Sequence, residues 1–141
     1  RKELAKALEN KVNVYGRIQG VGKGALNSQD GYWFGKEDVL ASHKYSVEVD
    51  VGMTKNYFSE RFFDRLLMWC MPLYWGCDNV HEYIPKESFR YIDIYGNGDD
   101  VLGIRDDMEL EHSLPAIAEA RDLLLNKYQA WARVYDYIKS A

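Results

Sequence analysis

Hydrophobic and polar positions along this chain follow helical spacing in some stretches and alternate in others. Apolar residues at three- and four-residue steps predict helices over residues 1–10, 36–43, 58–69 and most of the chain after residue 100. Alternating or short apolar runs predict strands over residues 11–16, 44–52, 71–76 and 88–94. A glycine-rich segment without regular spacing, residues 17–35, is predicted to be a loop.

This order of helices and strands predicts an α/β fold. Strands separated by helices pair most readily in a parallel sheet with right-handed crossovers, so we expect a Rossmann-like, mostly parallel sheet with flanking helices. Sheets of this kind bind ligands beyond the carboxyl ends of their strands. A length of 141 residues suits one domain with a sizeable core. Residues 1–141 are therefore predicted to form a single domain.

The last third of the chain carries an apolar stripe at helical spacing, which predicts one long helix with a core-facing side. The stripe consists of Leu114, Ile117, Leu124, Tyr128, Trp131, Tyr135 and Ile138. Packing alone explains such a stripe, so it carries no functional prediction.

Composition excludes several classes of protein. A net charge of −4 argues against a general nucleic-acid binder. Residues 1–24 are nevertheless rich in Lys and Arg, which suits either an anionic ligand or ordinary solvated surface. No apolar run approaches the roughly 20 residues that a membrane span needs. No signal peptide is visible, and the start without Met, inside a predicted helix, indicates a domain excised from a longer protein.

The two cysteines, Cys70 and Cys77, flank a predicted strand that would hold them roughly 20 Å apart at about 3.3 Å per residue. This separation is beyond disulfide reach, so both are predicted to be free and buried, as in a reducing compartment. The expected location is cytoplasmic, in an enzyme of bacterial or viral type, with peripheral association at a membrane left open.

Several familiar motifs are incomplete. The stretch GRIQGVGKG lacks both the spacing and the Ser or Thr of a phosphate-binding P-loop. The three histidines, His43, His81 and His112, share no metal-ligand spacing, and no Asp-x-Asp pair occurs. We therefore predict no metal site and no resident cofactor.

The stretch YFSER, residues 57–61, has a more informative arrangement. Ser59 is a plausible N-cap, and the free amides and dipole of a helix start attract anions. Arg61 adds a bidentate donor that suits phosphate oxygens. Glu60 would repel a phosphate, but as an acceptor it suits sugar hydroxyls. The alternative is simple: Glu60 complements the helix dipole, and Arg61 is a solvated side chain.

The surrounding sequence resembles the donor-binding half of the family 10 glycosyltransferases, the α-1,3/4-fucosyltransferases. In that family a strand ends in Phe-Glu-Asn-Ser, and Tyr-x-Thr-Glu-Lys then opens a helix. Here Asp50 stands at the Glu position, and Tyr57, Ser59, Glu60 and Arg61 fit the second motif. A following strand like Ile-Pro-Ile-Tyr-Trp-Gly is matched by residues 71–76, and Pro-Lys-Ser-Phe by residues 85–89. The N-terminal helix also looks like the one that carries a phosphate-binding arginine, here Arg1.

The resemblance implies that the chain is the C-terminal, donor-binding half of a two-domain GT-B-type enzyme. Such an enzyme transfers fucose from GDP-fucose to a sugar hydroxyl of a glycan acceptor, with inversion and without a metal required for binding. Arg1 and Arg61 would then hold the diphosphate, Glu60 a donor hydroxyl, and Tyr57, Ser59 and Asp50 would complete the donor site. The general base would belong to an N-terminal acceptor domain of the same protein, so no catalytic residue is assigned here.

Two departures keep other interpretations open. Asp50 is one methylene shorter than the family's Glu, and Val51 replaces a polar Asn. These changes suit another nucleotide-sugar donor, or a non-catalytic carbohydrate- or partner-binding domain on the same scaffold. An acceptor domain with a carboxylate base, encoded upstream, would favour the enzyme.

Overall fold

A computed structural model describes residues 2–9, 11–15, 35–104 and 107–140. The helices among these are α1 (Lys2–Ala7), α2 (Lys36–Ala41), α3 (Glu60–Leu67), α4 (Asp99–Leu102), α5 (Asp107–Leu123) and α6 (Ala130–Ser140). The strands are β1 (Tyr45–Val49), β2 (Met71–Trp75) and β3 (Arg90–Tyr91). Two short 3-10 turns, Val80–Glu82 and Lys86–Ser88, lie between β2 and β3, and a π-helical turn, Leu124–Tyr128, follows α5.

The three strands form a parallel sheet in the order β1-β2-β3. Tyr45 pairs with Met71 and Val49 with Trp75, so β1 and β2 run in register over their full length. The central strand β2 is buried at four of its five positions, as expected for a parallel strand that is covered on both faces. The predicted α/β class is therefore confirmed, with a small parallel sheet flanked by helices.

Two hydrophobic clusters cover the two faces of this sheet. The first contains Phe62 and Leu66 of α3 and Ile117 of α5, packed with Tyr74 of β2. The second joins α1 and α4 to the sheet through Leu4, Leu8, Leu73, Ile92, Val101 and Ile104. Neighbouring positions on β2 therefore contribute to opposite faces, as the pleat requires.

The helix α3 shows how the sequence sets its own boundaries. Ser59 occupies the N-cap position in an extended conformation, and the acidic Glu60 opens the first turn. At the other end, Trp69 takes a left-handed conformation, with φ of 61°. The Cys70 amide then donates back to the Arg65 carbonyl at 2.9 Å, which is the long bond of a Schellman motif. This sharp ending turns the chain directly into β2.

Three sequence predictions about the fold are wrong or incomplete. Residues 11–15 form no strand, so the strand predicted over 11–16 is wrong in its described part, while Gly16 and most of the predicted loop lie outside the described residues. The stretch GNGDD, residues 96–100, is typical of a turn, but it leads directly into a helix, because Asp99 opens α4. The single long C-terminal helix is divided, since Gln129 adopts an extended backbone between the π-helical turn and α6.

The apolar stripe of the last third is buried only in part. Ile117 and Leu124 lie in the core, and Tyr128 packs at its border, but the outer part of the stripe faces solvent. The exposed members are Leu114, Trp131, Tyr135 and Ile138. The prediction of a core-facing stripe is therefore wrong for Leu114 and for the members beyond the π-helical turn.

Both cysteines are buried and free, as predicted. Within the described part of the chain, no helix combines the length and apolar character needed to cross a bilayer.

Candidate functional site

The candidate site lies where β1 ends and α3 begins. The carboxyl end of a parallel strand and the amino end of the following helix meet at one edge of the sheet, which is the usual ligand side of such folds. Asp50 immediately follows β1, and Ser59 immediately precedes α3. The fold therefore brings three of the sequence-predicted residues, Asp50, Ser59 and Arg61, into contact.

Asp50 is the centre of this contact, and its side chain is inaccessible to solvent. One carboxylate oxygen accepts a hydrogen bond of 2.6 Å from the Ser59 hydroxyl. The other accepts 2.6 Å from the Tyr74 hydroxyl and 3.4 Å from the Ser59 amide. With its oxygens occupied by protein donors, Asp50 fastens β1, β2 and the start of α3 together, and it does not face an open surface.

Ser59 occupies the predicted N-cap position, but its side chain makes a tertiary hydrogen bond and not a capping one. The hydroxyl makes no capping bond to the first turn of α3, and it donates to Asp50 instead. A charged acceptor gives the stronger bond, which explains the preference. The backbone conformation of a cap is present, while its side-chain hydrogen bond is replaced by a tertiary one.

Tyr74 and Gly76 complete the surroundings of Asp50. The Tyr74 hydroxyl donates to Asp50 and accepts the Cys77 amide at 2.8 Å. Burial, and the bond to Asp50, raise the pKa of this phenol far above its ordinary value. A Cβ at position 76 would come within 2.3 Å of the Tyr74 hydroxyl oxygen, so the site requires glycine there. Packing therefore explains why a glycine, Gly76, follows β2.

A second buried carboxylate, Glu48, lies on β1 two residues before Asp50 and on the same face of the strand. Its side chain is 4% exposed and pairs with Arg65 at 2.8 Å, measured between Oε2 and Nη2. Arg65 is itself held by the Ser46 hydroxyl at 3.1 Å, the Val47 carbonyl at 3.1 Å and the Arg61 carbonyl. Burial lowers the pKa of Arg65, and Glu48 opposes that shift.

Arg61 lies between the two carboxylates. Its Nε is 3.3 Å from an oxygen of Glu48, and its Nη2 is 3.6 Å from an oxygen of Asp50. The same Nε lies 3.4 Å from the Ser59 hydroxyl. These contacts are longer than those of Arg65, and about a third of the Arg61 side chain remains exposed. Arg61 is therefore partly buried and paired with carboxylates, and not freely solvated.

A cavity of about 730 Å³ opens beside this cluster. It is bounded by α1, residues 12–15, α2 and the edge of β1, together with Arg61 and Arg65. Four cationic side chains are among its lining residues: Lys2, Lys36, Arg61 and Arg65. Its volume falls within the range of about 300–1,000 Å³ that small-molecule sites occupy.

On another wall of the cavity, His43 holds residues 13 and 15 against α2. Its Nδ1 lies 2.7 Å from the Val39 carbonyl and therefore donates, which leaves Nε2 as an acceptor. The Asn13 amide reaches that nitrogen at 3.2 Å, and the Tyr15 hydroxyl lies 3.5 Å from it. The wall thus adds hydrogen-bonding groups to the cationic ones.

The remaining predicted residues lie elsewhere. Tyr57 and Glu60 are exposed at the mouth of α3 and are not lining residues of the cavity. Arg1 lies outside the described residues, while its neighbour Lys2 lines the cavity.

Glu48, Arg65 and Tyr74 were missed by sequence reasoning as members of the site. Alternation on β1 puts residues 46, 48 and 50 on the face opposite the valines, and Arg61 and Arg65 are four apart on α3. Two carboxylates two apart on a strand, followed by two arginines four apart on its crossover helix, are a readable signal for facing ion pairs.

No family model, no curated protein and no solved structure matches this chain. In the described part of the chain, no group of three or more His, Cys, Asp or Glu side chains could hold a metal ion. Guanidinium and ammonium groups line the cavity together with the Glu48 carboxylate, and Lys36, Arg61 and Arg65 are each paired with a carboxylate. Arg61, the more exposed of the two arginines, is the donor best suited to an anion.

Proposed function

We propose that this chain is the donor-binding domain of an inverting glycosyltransferase, a GT-B-type enzyme that transfers fucose from GDP-fucose to a sugar hydroxyl of a glycan. The resemblance to family 10 fucosyltransferases supplies the reaction. The supporting observation from the structure is that the start of α1, through Lys2, and the start of α3, through Arg61, line the same cavity. These are the two elements that the resemblance implies for holding the diphosphate.

In this proposal Arg61 binds the diphosphate, with Arg1 and the amino end of α3 contributing. A guanidinium suits phosphate oxygens because it offers two parallel donors. The exposed Glu60 and Tyr57 contact the sugar or nucleoside part outside the cavity. Asp50 and Ser59 act indirectly, since their bond to each other fixes the start of α3.

The chemistry itself requires a base that removes a proton from the acceptor hydroxyl. We assign that base to a separate acceptor domain of the same protein. Purified residues 1–141 should accordingly bind donor without transferring sugar. Measurable fucose transfer by this chain alone would contradict the assignment.

Calorimetric titration with GDP and UDP, each in EDTA, tests the proposal. We expect GDP to bind more tightly than UDP and to keep its affinity without metal. Arg61→Ala should weaken GDP binding by about 1.5–3 kcal/mol, the usual contribution of a hydrogen bond to a charged group. Arg61→Lys should retain part of the affinity, since the charge remains without the bidentate geometry.

The matched control is Arg90→Ala. Arg90 is also paired with a carboxylate, Glu109, at 2.6 Å, but it lies on β3 and is not a lining residue of the cavity. Its loss should leave GDP affinity unchanged. Stronger binding of UDP, or equal affinity of the parent and Arg61→Ala, would refute the proposal.

A further inference from the structure

We propose that Glu48 is an internal competitor for Arg61: it forms an ion pair with the Arg61 guanidinium, and an anionic ligand must take that guanidinium from it. The inference rests on the proposed function in that it names GDP as the ligand. It goes further, because it assigns Glu48 a role in setting affinity.

The first observation is the position of Glu48. It is a buried carboxylate at the wall of the cavity, 3.3 Å from the Arg61 Nε. A phosphate that entered the cavity and approached Arg61 would bring a second anion close to the Glu48 carboxylate. Both cannot keep their best contact with one guanidinium, because like charges at short range repel strongly where solvent is excluded.

The second observation identifies which partner can move. Arg65 is 12% exposed at its side chain, and all three of its guanidinium nitrogens are bonded to described residues. It therefore holds Glu48 in place. Arg61 has contacts of 3.3–3.6 Å to the carboxylates and is 34% exposed, so it can turn toward a ligand at smaller cost.

The third observation concerns what remains after Arg61 turns away. Glu48 keeps its 2.8 Å contact with Arg65, and Asp50 keeps the hydroxyls of Ser59 and Tyr74. Neither carboxylate is left without a donor, so exchange of Arg61 between Glu48 and a ligand avoids the high cost of an unpaired buried charge.

The test is the neutral, isosteric variant Glu48→Gln, titrated with GDP and with inorganic pyrophosphate. We expect binding of both anions to tighten about tenfold, which corresponds to about 1.4 kcal/mol. Glu48→Asp keeps the negative charge and should show much less gain. The matched control is Glu109→Gln, which removes the same charge from the Arg90 ion pair away from the cavity, and it should leave both affinities unchanged.

Combining variants separates competition from a general change in the field of the cavity. If Glu48 acts through Arg61, the gain from Glu48→Gln should vanish in an Arg61→Ala background. A gain of equal size in that background would overturn the inference, as would unchanged or weaker anion binding in Glu48→Gln alone. Should Glu48→Gln fail to fold, the double variant Glu48→Gln/Arg65→Met removes the buried pair as a unit. Because this variant also removes a cavity cation, the quantity compared is the loss of pyrophosphate affinity caused by Arg61→Ala, which should be larger in the double variant than in the parent. An equal or smaller loss would overturn the inference.

The outcome also distinguishes this inference from the proposed function. If Glu48→Gln tightens pyrophosphate binding and GDP binds no better than UDP, the competition stands and the GDP-sugar proposal falls. If the parent prefers GDP and Glu48→Gln brings no gain in affinity, the GDP-sugar proposal stands and the competition by Glu48 is refuted. If no variant binds either anion, both are refuted.

Discussion

Charged side chains usually lie at the surface and apolar ones in the core. The surroundings of the start of α3 depart from this rule by burying carboxylates, and α6 departs from it by exposing apolar side chains. Against the start of α3, the charged residues Glu48 of β1 and Asp50, which follows β1, are buried. Along α6, Trp131 and Ile138 are 78% and 68% exposed, and α6 contains no buried residue. Position in the hydrophobic pattern explains neither region. The partner elements do, because the carboxylates are covered by α3 and its arginines, whereas α6 packs mainly on the π-helical turn.

The difference teaches where stability is concentrated. Buried ionic groups are costly to leave unpaired, so each bond at the β1–α3 junction depends on the others. Exposed apolar side chains on α6 make few buried contacts, so replacing them should change the free energy of unfolding of the isolated chain only slightly. Substitutions should therefore have large effects at the junction and small ones on α6.

The largest effect is expected from Asp50→Ala. This change leaves the Ser59 and Tyr74 hydroxyls without their acceptor and removes one of the two carboxylates beside Arg61. The free energy of unfolding should fall by about 3–5 kcal/mol, as when one member of a buried pair is removed. Urea unfolding measures it, with Asp136→Ala on the exposed face of α6 as control. A loss below about 1 kcal/mol would mean that the junction is not the cooperative unit described.

Tyr74→Phe should have the next largest effect, about 1–3 kcal/mol. The ring keeps its place in the core, but Asp50 loses a donor and the Cys77 amide loses its acceptor. Tyr91→Phe is the matched control, since its hydroxyl donates to the backbone carbonyls of Cys77 and Asp78 rather than to a carboxylate, and the residue is 42% exposed. Equal losses in the two variants would contradict a special role for the Asp50 bond.

Alkaline pH should weaken the fold by about 1–2 kcal/mol through Cys70. Burial raises the pKa of this thiol from 9.0 to about 11. Because the unfolded thiol ionises first, the unfolded state gains stability as pH rises from about 9 to 11, and the contribution is intact below pH 9. Urea unfolding at pH 8 and pH 10.5 measures the loss. Cys70→Ala should reduce the difference between the two pH values; an unchanged difference would assign it to other groups.

The smallest effect is expected on α6. Trp131→Ala and Ile138→Ala should each change the free energy of unfolding by no more than about 0.5 kcal/mol. Ile117→Ala, at a fully buried position of the same sequence stripe, should cost about 2–5 kcal/mol. A loss above about 2 kcal/mol for Trp131→Ala would show that α6 is packed more closely than its exposure indicates.

How far the sequence could reach follows from these same residues. Strands β1 and β2 and the crossover helix α3 were predictable, since each has an apolar pattern of ordinary length with clear boundaries. The absence of a strand at residues 11–15 could not be predicted. Val12 and Val14 alternate with polar residues as in a strand, but they pair with no strand in the described part of the chain. Alternation indicates which residues could share a face of a strand, but it does not indicate whether a partner strand lies beside them.

The site was predictable in place but not in detail. The helix-start pattern located Ser59 and Arg61, and the family resemblance located Asp50, at one edge of the sheet. The hydrogen-bond partners depended on β2, which supplies Tyr74 from 24 residues away. No local rule could say that the Ser59 hydroxyl would prefer Asp50 to the first turn of its own helix.

The order of the strands has a consequence for how the chain is made. Since β1, β2 and β3 are neighbours in space in the same order as in sequence, each strand can pair with the one before it as it leaves the ribosome. The Asp50–Tyr74 bond needs nothing beyond the loop that follows β2. We therefore expect the β1–α3–β2 unit to form while α5 and α6 are still being synthesised, with α5 arriving later to cover Phe62 and Leu66.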